Sequence, residues 1–286
     1  MISVNGRIVD TGRFPDGTMA IKKEYFISML EKSEVFNFSW YYESDEEMIL
    51  LYYVVSHFKA NAKKNSVFNL YLPYIPNARM DRVKSTAEVF TLKYFCNFIN
   101  SMEFDEVKVL DAHSNVSLAL LNNVVQDDVF TFICGAIDEF KPDILFFPDE
   151  GSCKRYASAI NEYYCSENEG VVPFPIVYAN KDRDWNTGTI RGIEVVGKDK
   201  VVGKRVLIVD DICSKGGTFY YSAKDLKKYG AKEIALYITH CENSILCGDL
   251  IGSELLEKIY TTNSISDIDH PLIQTMYLEC KALSEN

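Results

Sequence analysis

Short apolar runs rich in Val, Ile and Phe recur along this chain and alternate with stretches of helical periodicity. That alternation restricts its fold more than any other feature. The runs are Val67–Leu72, Val107–Asp111, Ile144–Pro148, Phe174–Tyr178, Arg205–Asp210 and Glu233–Thr239. Several are apolar at successive positions, as strands covered on both faces require. Between them, Thr86–Asn100 and Val129–Phe140 carry apolar residues at helical spacing. Ser44-Asp45-Glu46-Glu47 has the pattern of a capping box ahead of the apolar run Met48–Val55. A further helix over Gly217–Gly230 ends in a glycine suited to a C-cap. Strand–helix alternation needs right-handed crossovers and so predicts a mainly parallel sheet in an α/β fold. The polar stretch Asn123–Asp128 divides the strand–helix groups, which predicts domains over 1–125 and 126–286.

Charge and cysteine content narrow the function classes. The formal net charge of −11 repels phosphate backbones and argues against general nucleic-acid binding. An acidic protein that handles small anions must gather its Lys and Arg locally. The eight cysteines form no CxxC pair, and the pattern predicts reduced thiols in a cytoplasmic protein. No apolar run has the length of a membrane span, and the N-terminus lacks a basic-then-apolar leader, so no membrane association is expected.

Ligands of open α/β sheets bind at the carboxyl ends of strands, so chemistry is sought there. The run ending at Val209 delivers Asp210 and Asp211, then Ile212 and Cys213, then Ser214, Lys215, Gly216, Gly217 and Thr218, then a helix. Glycines let backbone amides approach a phosphate, and a helix N-terminus adds positive potential. Two acids would repel that phosphate but accept hydrogen bonds from vicinal hydroxyls, or reach a metal. Phosphate at one end and a diol at the other describes a ribose 5-phosphate. The bland alternative is an ordinary β–α turn with a solvated acid pair. Gly197–Lys204 has a glycine–lysine spacing near that of a Walker loop, but it has one residue too many and no following Ser or Thr, so it reads as a turn.

The loop resembles the sugar-phosphate loop of type I phosphoribosyltransferases and of ribose-phosphate pyrophosphokinases. Other segments separate the two groups. Arg13-Phe14-Pro15-Asp16-Gly17-Thr18 resembles the Phe-x-Asp-Gly-Glu segment of the pyrophosphokinases, and Pro73–Arg82 resembles their Pro-Tyr…Ala-Arg-Gln-Asp-Arg stretch. The resemblance implies ATP binding by Phe14, Asp16, Arg79, Asp81, Arg82 and His113. Asp111-Ala112-His113-Ser114 and Phe147-Pro148-Asp149-Glu150-Gly151 are similar to the segments that place His113 and Asp149 at magnesium. Lys181-Asp182-Arg183 resembles the start of the catalytic loop, implying transition-state roles for Lys181 and Arg183. Each segment also has a plain reading: His113 as a structural histidine, Asn180–Thr189 as a surface loop, Arg79 and Asp81 as an ion pair, Phe14 as core.

The resemblance runs from about residue 13 to residue 240, in the family's order. It implies two phosphoribosyltransferase-like domains of type I, an N-terminal one for ATP and a C-terminal one for sugar phosphate. It also implies Mg2+, ATP and a ribose phosphate as ligands, and at least a dimer. The chain departs from the family at Thr18, Met80 and Ser214-Lys215, and the family's first strand–helix unit and last helix find no counterpart. Ser214-Lys215 replaces an Asp-Thr, removing a negative charge and adding a positive one beside the 5′ phosphate. The expected acceptor is ribose 5-phosphate, with ADP-ribose the alternative that the added charge would suit. A phosphoribosyltransferase that uses no ATP and a non-catalytic regulatory homologue are the competing classes.

Overall fold

The structure is a computed structural model describing residues 1–22, 26–170, 172–183 and 190–278, with the side chains of 180–183 and 190–194 outside that description. The chain divides into two units, residues 1–127 and 128–278. The first contains β1 (Ile2–Val4), β2 (Arg7–Ile8), β3 (Thr11–Arg13), β4 (Met19–Ile21), α1 (Phe26–Lys32), β5 (Val35–Trp40), α2 (Glu46–Asn61), β6 (Val67–Leu72), α3 (Thr91–Ser101), β7 (Glu106–Leu110), α4 (Asn115–Leu120) and β8 (Val124–Asp127). The second contains α5 (Phe130–Phe140), β9 (Ile144–Phe147), α6 (Glu150–Glu167), β10 (Ile176–Arg183), β11 (Ile190–Val196), β12 (Arg205–Cys213), α7 (Gly217–Lys228), β13 (Glu233–Cys241), β14 (Lys258–Thr262) and β15 (Ile273–Met276).

In the first unit the sheet order is β2-β1-β5-β6-β7-β8, parallel from β5 to β8. Phe36, Phe38 and Trp40 of β5 and Phe68, Leu70 and Leu72 of β6 point into one core, where Phe58 of α2 meets both Phe36 and Phe38. The opposite face is polar and half-buried, with Asn69 donating to Asn37 at 3.0 Å. Val67–Leu72 therefore alternates in burial, where the apolar run had suggested cover on both faces. Asn123–Asp128, expected as a polar divider, contains β8, whose Val124 pairs with Val107.

Two helix starts also differ. The predicted helix from Thr86 begins at Thr91. Before it, the Glu88 carboxylate accepts the Lys84 amide and the Glu88 amide bonds Ser85, so turn bonds take the donors a helix would need. Helix α2 starts at Glu46 behind Asp45, whose side chain makes no capping bond. Its apolar face continues through Phe58, which carries the helix beyond Val55.

The second unit has sheet order β11-β10-β9-β12-β13-β14-β15, with only the edge strand β11 antiparallel to its neighbour. Here β9 is buried at every position and β13 nearly so, as parallel strands between helical layers should be. Strand β10 runs on through Arg183 and pairs with β11, so Asn180–Arg183 is strand where a loop was expected. Residues 184–189 of that loop lie outside the described residues. Helix α7 ends in a Schellman turn: Ala231 donates to Leu226 and Gly230, at φ +86°, donates to Lys227.

Strand order reverses between β9 and β12, because β10 lies on one side of β9 and β12 on the other. Crevices of open α/β sheets form outside the carboxyl ends of strands at such a reversal. Asp149 follows β9, and Asp210 and Asp211 lie near the end of β12.

Candidate sugar-phosphate and nucleotide sites

At the switch point the backbone register sets Val206 beside Ile144 and Ile208 beside Phe146. Continued upward, it brings the β12 acids level with Asp149. The acids are not equivalent. Asp211 is buried and its Oδ2 accepts from Arg155 Nη1 of α6 at 2.9 Å. Asp210 keeps part of its surface exposed, and its Oδ1 accepts the Asp211 amide at 3.1 Å. Burial pushes the Asp210 carboxyl well above the usual carboxylate range; the charges of Asp211 and Asp149 add to the rise, while Arg155 opposes it. The nearby positive charge of Arg155 compensates a carboxylate in this position only in part.

Asp149 is the N-cap of α6. Its Oδ1 accepts the Ser152 amide at 3.0 Å, in a capping box with Ser152. The residue expected at magnesium thus also holds a helix end. Among the described residues no three His, Cys, Asp or Glu side chains form a ready metal cage. The chemistry of the donors still fits Mg2+. It takes oxygen ligands, is commonly bound by one or two carboxylates and keeps several waters, and the crowding around Asp210 favours a cation.

Past Asp211 the strand continues to Cys213, so the predicted loop shortens to Ser214-Lys215-Gly216 before α7. Gly216 is left-handed at φ +77° and occupies the N-cap, where it brings no side-chain acceptor. The leading amides of α7 therefore have no cap from their own N-terminal residue. A Cβ on Gly217 would meet nothing within 4 Å. A glycine in the first turn weakens a helix, and among the described residues no packing calls for one here. The open space and uncapped amides together form a cradle for an anion. Thr218 is exposed in that first turn, and Lys215 is exposed without an ion-pair partner among the described residues.

Of the nucleotide candidates in the first unit, Arg79, Asp81, Arg82 and His113 follow the carboxyl ends of the neighbouring strands β6 and β7. Phe14 and Asp16 form the tip of the β3–β4 hairpin, with Phe14 exposed at 56% and hence not core. The Asp16 carboxylate accepts both the hydroxyl and the amide of Thr18, which holds its pKa below the ordinary value. Arg13 ties the hairpin to α2 through Glu46 at 2.8 Å. Arg79 and Arg82 are exposed on the connection after β6, where Asp81 pairs with Arg82 at 3.5 Å. His113 is half-buried after β7, next to the buried, left-handed Asp111. Lys181 and Arg183 lie on β10, and their side chains are outside the described residues.

Sequence reasoning missed two groups. Arg155 sits six residues beyond Asp149 on the following helix, a spacing that placed it beside β12 once α6 was known to start at the strand end. The segment 242–250, which packs under the Ser214–Gly217 turn, carried no local signal.

A parallel sheet with an acid pair, a short glycine turn and a helix at its switch point defines the phosphoribosyltransferase class of folds. Residues 126–249 match the family described as "Phosphoribosyl transferase domain". Over 84% of its length the chain is 29% identical to a ribose-phosphate pyrophosphokinase of Pyrococcus abyssi, covering 79% of that protein. It is 26% identical to the Sulfurisphaera tokodaii ribose-phosphate pyrophosphokinase over 93% of this chain and 87% of that one. The crystal structure of phosphoribosylpyrophosphate synthetase from Mycobacterium smegmatis matches 94% of this chain and 86% of its own at TM-score 0.70 and 18% identity, a likeness of fold. Over most of its length the chain is similar to ribose-phosphate pyrophosphokinases, at identities that mark it as divergent from them.

Proposed function

We propose that this protein is a diphosphotransferase that moves the β,γ-diphosphoryl group of ATP to the C1 hydroxyl of ribose 5-phosphate. The anion cradle at Gly216-Gly217, with the acid pair one strand end away, is the observation that carries this reading. The cradle takes the 5′ phosphate on the α7 amides, Ser214 and Thr218. Asp210 and Asp211 accept hydrogen bonds from the ribose diol, and Arg155 holds Asp211 in place. Arg79, Arg82, Phe14, Asp16 and Asp81 bind the nucleotide by family resemblance. By the same resemblance His113 of the first unit and Asp149 of the second would each be Mg2+ ligands, and the metal would supply charge neutralisation on the triphosphate.

The C1 oxygen forms a bond to the β-phosphorus. The bond from that phosphorus to the oxygen bridging to the α-phosphate breaks, its electrons leave with AMP, and the hydroxyl proton is released. Such chemistry asks the protein mainly for positioning and charge stabilisation. Lys181 and Arg183 stabilise the migrating oxygens. AMP release from ATP, measured with and without ribose 5-phosphate, tests the reading. Acceptor-dependent AMP is the expected result, and its absence with ribose 5-phosphate and with ADP-ribose would overturn it.

A second acceptor is favoured by a specific observation. Lys215 is an exposed cation at the tip of the cradle, where the 5′ phosphate of a longer acceptor would continue into a second phosphate. ADP-ribose offers that phosphate together with a free C1 hydroxyl. Comparing kcat/KM for the two acceptors decides between them.

A further inference from the structure

The phosphate turn does not hold its own shape. Lys215 and Gly216 of the turn, and Cys213 just before it, are contacted by a segment roughly thirty positions further along. The Glu242 amide donates to the Cys213 carbonyl at 2.9 Å. A Cβ on Gly248 would fall 1.9 Å from the Lys215 carbonyl oxygen and 2.8 Å from its carbon. A Cβ on Gly216 would fall 2.9 Å from a methyl of Leu250, which is itself buried.

Gly248 has an ordinary extended backbone, φ −100° and ψ 164°. Its need for glycine therefore comes from the close approach of the Lys215 peptide and from nothing else. Backbone cannot move aside as a flexible side chain can, so any substituent at 248 must push the turn out of position. A Cβ on the nearby Gly252 would meet nothing within 4 Å.

We propose that Gly248 is a positioning residue for the acceptor: by letting the Lys215 peptide pack against its bare Cα, it sets the turn that binds the 5′ phosphate. This rests on the sugar-phosphate reading of the cradle. It also accounts for the tolerance of Ser214-Lys215 in that turn, because the shape is imposed from behind and the turn's own side chains are spared the task. A group that only stabilised the fold would affect both substrates alike, whereas Gly248 acts on one.

The test compares Gly248→Ala with Gly252→Ala and the native chain. The expected result is a rise of about tenfold or more in the KM for ribose 5-phosphate, with the KM for ATP within about twofold. Gly252→Ala should match the native chain in both. Equal acceptor KM values for Gly248→Ala and the native chain overturn the proposal, as does a parallel rise for ATP.

Calorimetric titration of ribose 5-phosphate separates the inference from the reading it rests on. Native binding that Gly248→Ala weakens supports the inference even where no AMP forms. Native binding that Gly248→Ala leaves intact removes the inference alone, and no native binding removes both. If Gly248→Ala does not fold, Leu250→Ala takes its place, because Gly216 is left-handed and a substitution there is strained on its own. Loosening the segment behind the turn should raise the KM for ribose 5-phosphate above that of the native chain and leave that for ATP within about twofold. An unchanged acceptor KM overturns the proposal.

Discussion

The acid pair shows how differently two neighbouring carboxylates can be held. Asp211 has the Arg155 guanidinium; Asp210 has partial burial and two like charges. An acid whose folded pKa is raised binds more protons folded than unfolded. Its ionisation then weakens the fold as pH rises from the unfolded value near 3.8 through the folded one. The cost is absent below that window and complete above it. Asp210→Asn should therefore raise stability at neutral pH in protein free of divalent ions, and the gain should vanish towards pH 4. Urea unfolding of both proteins across pH checks this; an Asn variant no more stable than the native chain at pH 7 would mean the carboxylate is well compensated. Such a gain with loss of activity is the usual mark of a residue kept for function. The acid pair, the glycines and Thr218 were legible in the sequence because they are consecutive and chemically distinctive. Gly248 was not, since its constraint is a contact with a peptide thirty-three residues away. Arg155 was hidden because its partner became apparent only with the strand order.

Elements were legible where periodicity was strong and misjudged where local polar groups competed with the backbone. The six apolar runs are all strands, but β1 to β5, β8, β11, β14 and β15 were not among them. β5 was missed because Asn37 and Ser39 break its apolar run. The capping motif before α2 was found at the right place with the wrong job. Its glutamate, Glu47, does reach back, accepting from the Glu43 amide and from the buried Trp40 indole, each at 2.8 Å. It anchors the end of β5 to the start of α2, and Ser44 does not complete the box. Glu47→Ala should thus leave the indole N–H without an acceptor and lower stability by about 1–3 kcal/mol. Denaturant unfolding gives the value. A loss no larger than that of a typical exposed glutamate would show that water replaces the carboxylate.

At the scale of the whole molecule, a chain with a net charge of −11 is expected to bind two polyanionic substrates. Long-range attraction cannot supply that, so the cations must act at short range, where they are placed. The cations proposed for the nucleotide, Arg79 and Arg82, belong to residues 1–127, and the proposed sugar-phosphate cradle with Lys215 belongs to residues 128–278. Substitutions should therefore separate the ligands by unit. Arg79→Ala removes a charge-assisted contact to the nucleotide, a loss of about 1.5–3 kcal/mol. That corresponds to roughly 10- to 150-fold weaker ATP binding, since each 1.4 kcal/mol is tenfold. Ribose 5-phosphate affinity, titrated alone, should stay within about twofold, because Arg79 is assigned a contact to the nucleotide and none to the sugar. Lys215→Ala should do the reverse, and by less, because an exposed ammonium is strongly hydrated and screened by salt. Its effect should shrink as ionic strength rises. Calorimetric titration of each ligand alone, at two salt concentrations, measures all four quantities. If Arg79→Ala weakened ribose 5-phosphate as much as ATP, the division of labour between the units would be wrong. Arg79 would then belong to the sugar site.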